Sequence, residues 1–239
     1  MSDRSDDEVP VGGGHTPFGK CLYDLLWVLC RTLGVSLLGF RSRFVEPLPK
    51  TGPLIVLSSH QTFLDPLLLG LATDRRLSSL ARSSLYRFKP FAVVITALDA
   101  VPIDREASAI KAMKVVIARL KRGAAVTIFP EGSRTCDGHL GEFKSGFTLI
   151  AKRAAAPIVP VAIVGGFECW PRTRLLPRPG RIRLEFGEIV TAEQVAAMSE
   201  QEIFAVCTQR IRDLDAKARA ALGATARSRP AVSSPRGPA

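Results

Sequence analysis

Short, unbroken runs of branched apolar residues constrain this chain most. Leu54-Ile55-Val56-Leu57 follows the turn-forming Thr51-Gly52-Pro53, and similar runs recur at Ala125–Ile128 and Ile158–Val164. Runs this short and this apolar read as strands buried inside a layered sheet, because a strand wetted on one face would alternate with polar residues. Strand-like segments therefore cover Leu54–Ser58, Ala124–Phe129, Ile158–Val164 and Arg181–Phe186. Helix-like segments lie between them. In Glu106–Arg122 the residues Ile110, Met113, Ile117 and Leu120 form an apolar stripe that Gly123 ends. A last helix, Ser199–Leu222, carries Ile203, Cys207, Ile211 and Leu214 along one side. Such alternation predicts one α/β domain, for which 239 residues and a 46% hydrophobic content suffice.

The ends differ from this pattern. Residues 1–16 are acidic and Gly-rich and read as a disordered tail, with the wrong charge for a secretory signal. Residues 223–239 are basic and of low complexity and also read as disordered, which leaves 44–222 for the folded domain. Between the first tail and the domain, residues 17–43 are strongly apolar but interrupted by Lys20, Asp24 and Arg31. No uncharged run there reaches the roughly 18–20 residues of a spanning helix. The segment reads as a helical element lying in a membrane interface, with Arg41 and Arg43 placed to meet anionic headgroups; a core helix is the alternative.

A net charge of +11 implies an anionic partner. Aromatic content is 7%, and no basic run is interleaved with aromatics, so lipid or a phosphorylated substrate fits better than nucleic acid. Five cysteines, scattered and without a CxxC pair, argue against a disulfide framework and against a zinc site. They fit a reducing compartment and read as small buried hydrophobes.

The first apolar run ends in Ser58-Ser59-His60-Gln61-Thr62-Phe63-Leu64-Asp65-Pro66. Pro66 suits the first turn of a helix, and Asp65 suits its N-cap. His60 therefore lies in a strand-to-helix connection at the carboxyl end of a strand, where open α/β sheets bind ligands. The second run delivers Phe129-Pro130-Glu131-Gly132-Ser133-Arg134 to a neighbouring loop. Two further blocks are Val101-Pro102-Ile103-Asp104-Arg105 and Phe143-Lys144-Ser145-Gly146, and Ala156–Val161 is a proline-flanked strand. His15 and His139 have no matching partners. Ser58 and Ser59 beside a histidine raise the possibility of a serine hydrolase, but the G-x-S-x-G elbow is absent around them.

In this order and spacing the blocks resemble those of the glycerolipid acyltransferases typified by 1-acylglycerol-3-phosphate acyltransferase. The resemblance runs from about Phe18 to Gly187. An HxxxxD motif alone is unspecific, but followed by FPEGSR it is highly specific. One departure is Ser59, where the family usually has asparagine; the resemblance then implies a subgroup with a different acceptor.

The resemblance implies a mixed sheet flanked by helices, with an N-terminal membrane-associating helical element. It also implies transfer of a fatty acyl chain from acyl-CoA or acyl-carrier protein to the free hydroxyl of a lysophospholipid, above all lysophosphatidate, at the cytoplasmic face of a membrane. His60 is then the general base, since an imidazole ordinarily titrates near neutrality, and Asp65 fixes its tautomer. Arg105 and Arg134 become candidates for the acceptor phosphate, with Lys144 adding charge near a helix start. Glu131 corresponds to a glutamate contacting the acceptor's glycerol part, with Gly132 and Ser133 in the same block. Gly132 is expected to hold a backbone conformation closed to other residues. No metal or resident cofactor is implied. Another lyso-lipid acceptor, or a non-catalytic lipid-binding protein, are the alternatives.

Overall fold

The alternation of apolar runs and helical stripes resolves into one mixed sheet with helices on both faces. The computed structural model describes residues 38–82, 100–103, 109–174 and 176–227, with Thr32, Ser36 and Tyr86 in addition. Its strands are β1 (Arg41–Phe44), β2 (Leu54–Ser58), β3 (Leu77–Arg82), β4 (Ala100–Ile103), β5 (Ala125–Ile128), β6 (Ile158–Val164) and β7 (Arg183–Phe186). They form a seven-stranded sheet in the order β1-β7-β6-β2-β5-β3-β4. Neighbours run parallel except β6 and β7, which are antiparallel.

The described helices are α1 (Asp65–Ala72), α2 (Ala109–Lys121), α3 (Gly146–Ala154), α4 (Gly166–Cys169), α5 (Ala192–Ala197) and α6 (Glu200–Arg227). The pleat of β2 divides the core in two. Ile55 and Leu57 face a cluster containing Val116 and Leu120 of α2, Phe147 and Ile150 of α3, and Ile203, Cys207 and Ile211 of α6. Leu54 and Val56 face the other, with Leu68, Leu69 and Leu71 of α1 and Leu184 and Phe186 of β7. A strand lined on both faces has no wet side, which is why its sequence does not alternate.

The structure moves several boundaries. Arg41 and Arg43 form the edge strand β1 rather than the end of a helical element, so the sheet begins before residue 44. Of the proposed membrane element, residues 17–31, 33–35 and 37 lie outside the described residues, as do the first tail and residues 228–239 of the second, whereas Leu38 and Phe40 are buried in the core. The last helix continues to Arg227, past the boundary at 222. Its sequence there, AKARAALGATAR, is Ala-rich, and a single Gly223 costs only about 1 kcal/mol against that background. Strands β1, β3 and β4 carry no periodic signal. β1 and β4 are short edge strands, and β3 contains two buried serines, Ser78 and Ser79. In α2 the buried stripe is Val116 and Leu120, flanked by Met113 and Ile117, whereas Ile110 in the first turn is exposed. Of the described cysteines, Cys169 and Cys207 are buried as expected, and Cys136 is exposed in a loop. Burial pushes the Cys207 thiol up to about 12, so it is inert packing.

Candidate active site

The carboxyl ends of β2, β5 and β6 lie side by side. The connection from β2 to β3 passes over β5 in one direction, and that from β5 to β6 passes over β2 in the other. Such a reversal opens a crevice beyond the strand ends. Three loops meet there: residues 59–64 after β2, 129–145 after β5, and the turn into α4 after β6.

His60 is fixed at both backbone groups. Its N–H donates to Glu131 Oε1 at 2.9 Å, and its carbonyl accepts from the Thr135 N–H at 2.9 Å. Its ring stacks on Phe129, with centroids 3.9 Å apart and planes inclined by 17°. Nδ1 lies 2.8 Å from Asp65 Oδ2. The side chain of Asp65 is fully buried, while that of His60 is 19% exposed, so the imidazole alone reaches the surface of the crevice.

Asp65 does not cap its own helix. It is the first residue of α1, and its carboxylate turns back onto the preceding loop. Oδ2 accepts from the Gln61 N–H at 2.5 Å and the Thr62 N–H at 2.9 Å, and Oδ1 accepts from Thr62 Oγ1 at 2.9 Å. Four donors, counting the imidazole, converge on one buried carboxylate. The imidazole tautomer that donates to this carboxylate carries its proton on Nδ1 and its lone pair on Nε2. Pro66 explains the geometry: its fixed φ starts the helix at once, so the aspartate folds over the loop.

Glu131 bonds to two main-chain amides of the site. It is buried, and while Oε1 takes the His60 amide, Oε2 takes the Gly141 N–H at 3.0 Å. Its carboxylate is a clasp between the β2 loop and the far end of the β5 loop. Burial raises Glu131 above the ordinary carboxylate range, against the lowering effect of the two amides.

The remaining predicted residues divide. Gly132 has φ +70°, and a Cβ there would stand 3.1 Å from Lys144 Nζ, so it serves both conformation and space. Ser133 and Lys144 are exposed beside it. The Arg134 guanidinium lies 3.3 Å from the centre of the Phe63 ring, a cation–π contact that fixes it at the mouth of the crevice. Arg105 lies outside the described residues.

The two serines face away from chemistry. Ser58 Oγ donates to the Ser59 carbonyl. Ser59 Oγ accepts from the Ile163 N–H at 2.9 Å and donates to the Ile163 carbonyl at 3.4 Å. Neither hydroxyl is bonded to the imidazole, which removes the basis of a serine-hydrolase reading.

Several site residues were not singled out from sequence. Gln61 is buried; its Oε1 accepts from the Gly166 and Phe167 amides at 2.9 and 3.2 Å, and its Nε2 donates to the Gly138 carbonyl at 3.2 Å. It ties together all three loops of the crevice. Thr62 secures Asp65, and Phe129 supports the ring, although its place beside proline reads as simple packing. The available signal was the polar pair Gln61-Thr62 inside the motif.

A buried carboxylate therefore holds an imidazole at the carboxyl ends of a mixed sheet, with the ring open to the crevice and Arg134 beside it on Phe63. The family model described as "Acyltransferase" matches residues 39–164, more than half of the chain. The chain belongs to the acyltransferase family. A 1-acyl-sn-glycerol-3-phosphate acyltransferase of Pseudomonas aeruginosa is 31% identical over 172 residues, covering 70% of this chain and 64% of the relative. The Bacillus subtilis enzyme of that name is 29% identical over 72% of this chain and 86% of its own length. A chloroplastic relative from Brassica napus is 31% identical, but this chain spans only 38% of it. The crystal structure of the 1-acyl-sn-glycerophosphate acyltransferase PlsC from Thermotoga maritima superposes with a TM-score of 0.67 at 22% identity, over 91% of this chain and 86% of that one. It shares the fold.

Proposed function

We propose that the protein transfers a fatty acyl chain from a thioester, acyl-CoA or acyl-carrier protein, to the free hydroxyl of lysophosphatidate, forming phosphatidate at a membrane surface. The observation that carries this reading is the 2.8 Å contact between His60 Nδ1 and a carboxylate with no solvent exposure. The acceptor hydroxyl takes the place that a serine holds in a protease triad. As its oxygen attacks the thioester carbonyl, Nε2 of His60 removes its proton, and Asp65 stabilises the imidazolium that forms. Collapse of the tetrahedral intermediate breaks the carbon–sulfur bond, and the thiolate leaves with the proton from Nε2. No acyl-enzyme is required.

Arg134, held on Phe63, presents a planar cation suited to the acceptor phosphate, and exposed Lys144 adds a point charge across Gly132. Glu131 acts as a positioning residue through the His60 amide. The names of the similar enzymes support lysophosphatidate as acceptor, and the buried, backbone-bonded Ser59 offers no contrary reason.

The test is transfer from labelled acyl-CoA to lysophosphatidate in detergent micelles. His60→Ala is expected to lower kcat by about 10³-fold or more while the protein stays folded. Product at an undiminished rate from the folded variant would remove the general-base role. Absence of product from the wild type, with acyl-CoA and acyl-carrier protein in turn and over a panel of lysophospholipids, would favour a lipid-binding protein without turnover.

A further inference from the structure

The segment from Trp170 to Arg181 reads WPRTRLLPRPGR: four arginines and no acidic residue. It follows β6 and α4 and lies beyond the residues matched by the family model. Arg172, Arg174, Leu176 and Arg178 are exposed, Leu176 to 73%. Phe63, from the catalytic loop, is exposed to 49%.

Contacts join this segment to the mouth of the crevice. The Trp170 and Phe63 rings have centroids 6.2 Å apart, and Phe63 carries Arg134 on its face. Arg172 Nη1 reaches the Arg134 carbonyl at 3.5 Å and Cys136 Sγ at 3.4 Å. The segment keeps its shape through bonds to main-chain carbonyls: Trp170 Nε1 donates to that of Arg174 at 3.0 Å, and Arg178 Nε to that of Glu168. A carbonyl oxygen satisfies a guanidinium without cancelling its charge. Arg183, further along, shows the other case, paired with buried Glu185 at 2.6 Å.

We propose that this segment is a membrane-docking surface, in which Arg172, Arg174 and Arg178 meet anionic headgroups while Leu176 and Phe63 enter the bilayer interface. The inference rests on the lipid acceptor reading and assigns it a surface. Cations interleaved with exposed apolar side chains are what an interfacial site requires, since each supplies what the other lacks at the boundary of headgroup and acyl chain. An acidic protein or a free phosphate would engage the arginines but give no reason for a solvent-exposed leucine beside them. Docked this way, the crevice opens onto the bilayer, and a lysolipid reaches His60 without crossing bulk water.

The full chain with Trp27→Phe retains Trp170 as its one tryptophan. Vesicles of phosphatidylcholine and phosphatidylglycerol should shift Trp170 emission to the blue, and brominated acyl chains should quench it. Each basic residue near an anionic surface contributes about 1 kcal/mol, roughly fivefold in affinity. Arg174→Glu with Leu176→Asp should therefore abolish the quenching and weaken vesicle binding about tenfold or more. Sedimentation with vesicles but no Trp170 quenching would overturn the proposal, because another surface is then the contact. Equal quenching by pure phosphatidylcholine would overturn the role of the arginines. An emission shift with an acidic carrier protein and none with vesicles would overturn it in favour of a protein partner. None of these readouts depends on turnover, so failure of the acyltransferase reading leaves them interpretable.

Discussion

Two loops border the same crevice and treat their polar groups in opposite ways. The loop from Ser59 to Asp65 turns its bonding inward: amides, hydroxyls and imidazole close on Asp65, Glu131 and Ile163. The segment from Trp170 to Arg181 leaves three guanidinium groups exposed, with the bonds of Arg172 and Arg178 going to main-chain carbonyls and the Cys136 sulfur. The first arrangement holds an imidazole rigidly against a buried carboxylate. The second leaves a charged, partly apolar surface facing solvent. Rigidity serves proton transfer, where misplacement by an ångström is costly. Uncompensated charge serves attraction, which works over nanometre distances and needs no fixed geometry.

The sharpest way to break the contrast is to open the inward loop at its centre. Asp65→Asn keeps the volume but replaces an acceptor of four donors with a group that itself carries two N–H bonds. The amide favours the imidazole tautomer with the proton on Nε2, the wrong atom for a base. Activity, read as kcat/KM, should fall by about 10³-fold, and chemical denaturation should show a loss of about 1–3 kcal/mol from unmet buried donors. Near-normal activity would mean that Asp65 holds the loop without setting the tautomer.

A smaller effect is expected at the second carboxylate. Glu131→Gln can accept from only one of the two amides, those of His60 and Gly141, and points an N–H at the other. The His60 backbone then loses part of its support, and kcat/KM should fall about tenfold with little change in KM. The pH dependence of stability separates this from a catalytic role. Burial raises the folded-state value above 4.5, so the folded chain holds that proton more tightly than the unfolded chain does. The contribution is full below the unfolded value and is lost as pH rises through the raised folded one. Wild-type stability measured against Glu131→Gln should therefore decline as pH rises through the ordinary carboxylate range and above it. A flat difference would show that folding leaves the carboxyl titration unchanged.

What could be read from the sequence follows the range of each interaction. The pairing of His60 with Asp65 is local, spanning five residues and a proline-started helix, and the motif displays it. The buried strands β2, β5 and β6 are equally legible, because burial on both faces leaves an unmistakable apolar run. The clasp by Glu131 depends on β2 and β5 being neighbours, a fact of strand order that no local pattern carries. Edge strands such as β1, with three exposed residues of four, lack any apolar signature. Arg41 and Arg43 for that reason read from sequence as headgroup contacts following a membrane helix rather than as part of the sheet. The arginine-rich segment carries no local signal for a related reason: without periodicity it reads as a connection, and only its contacts with Phe63 and Arg134 give it a place beside the site.

The smallest effect concerns Ser59, where the family usually has asparagine. Its hydroxyl exchanges bonds with both backbone groups of Ile163, extending the β2–β6 pairing by one rung beyond Ser58. The residue is 1% exposed, with no surface to offer an acceptor. Ser59→Ala should lower stability by about 1–3 kcal/mol, the cost of an unpaired buried backbone group, and leave kcat/KM per folded molecule within about twofold. The ratio of rates on lysophosphatidate and on a lysophospholipid with a larger headgroup should not move. A change in that ratio would place Ser59 in the acceptor site and restore the idea of a subgroup with its own substrate. An unchanged ratio with reduced stability would assign the serine to the same inward-bonded loop as Asp65 and Glu131, as a structural substitute for the asparagine.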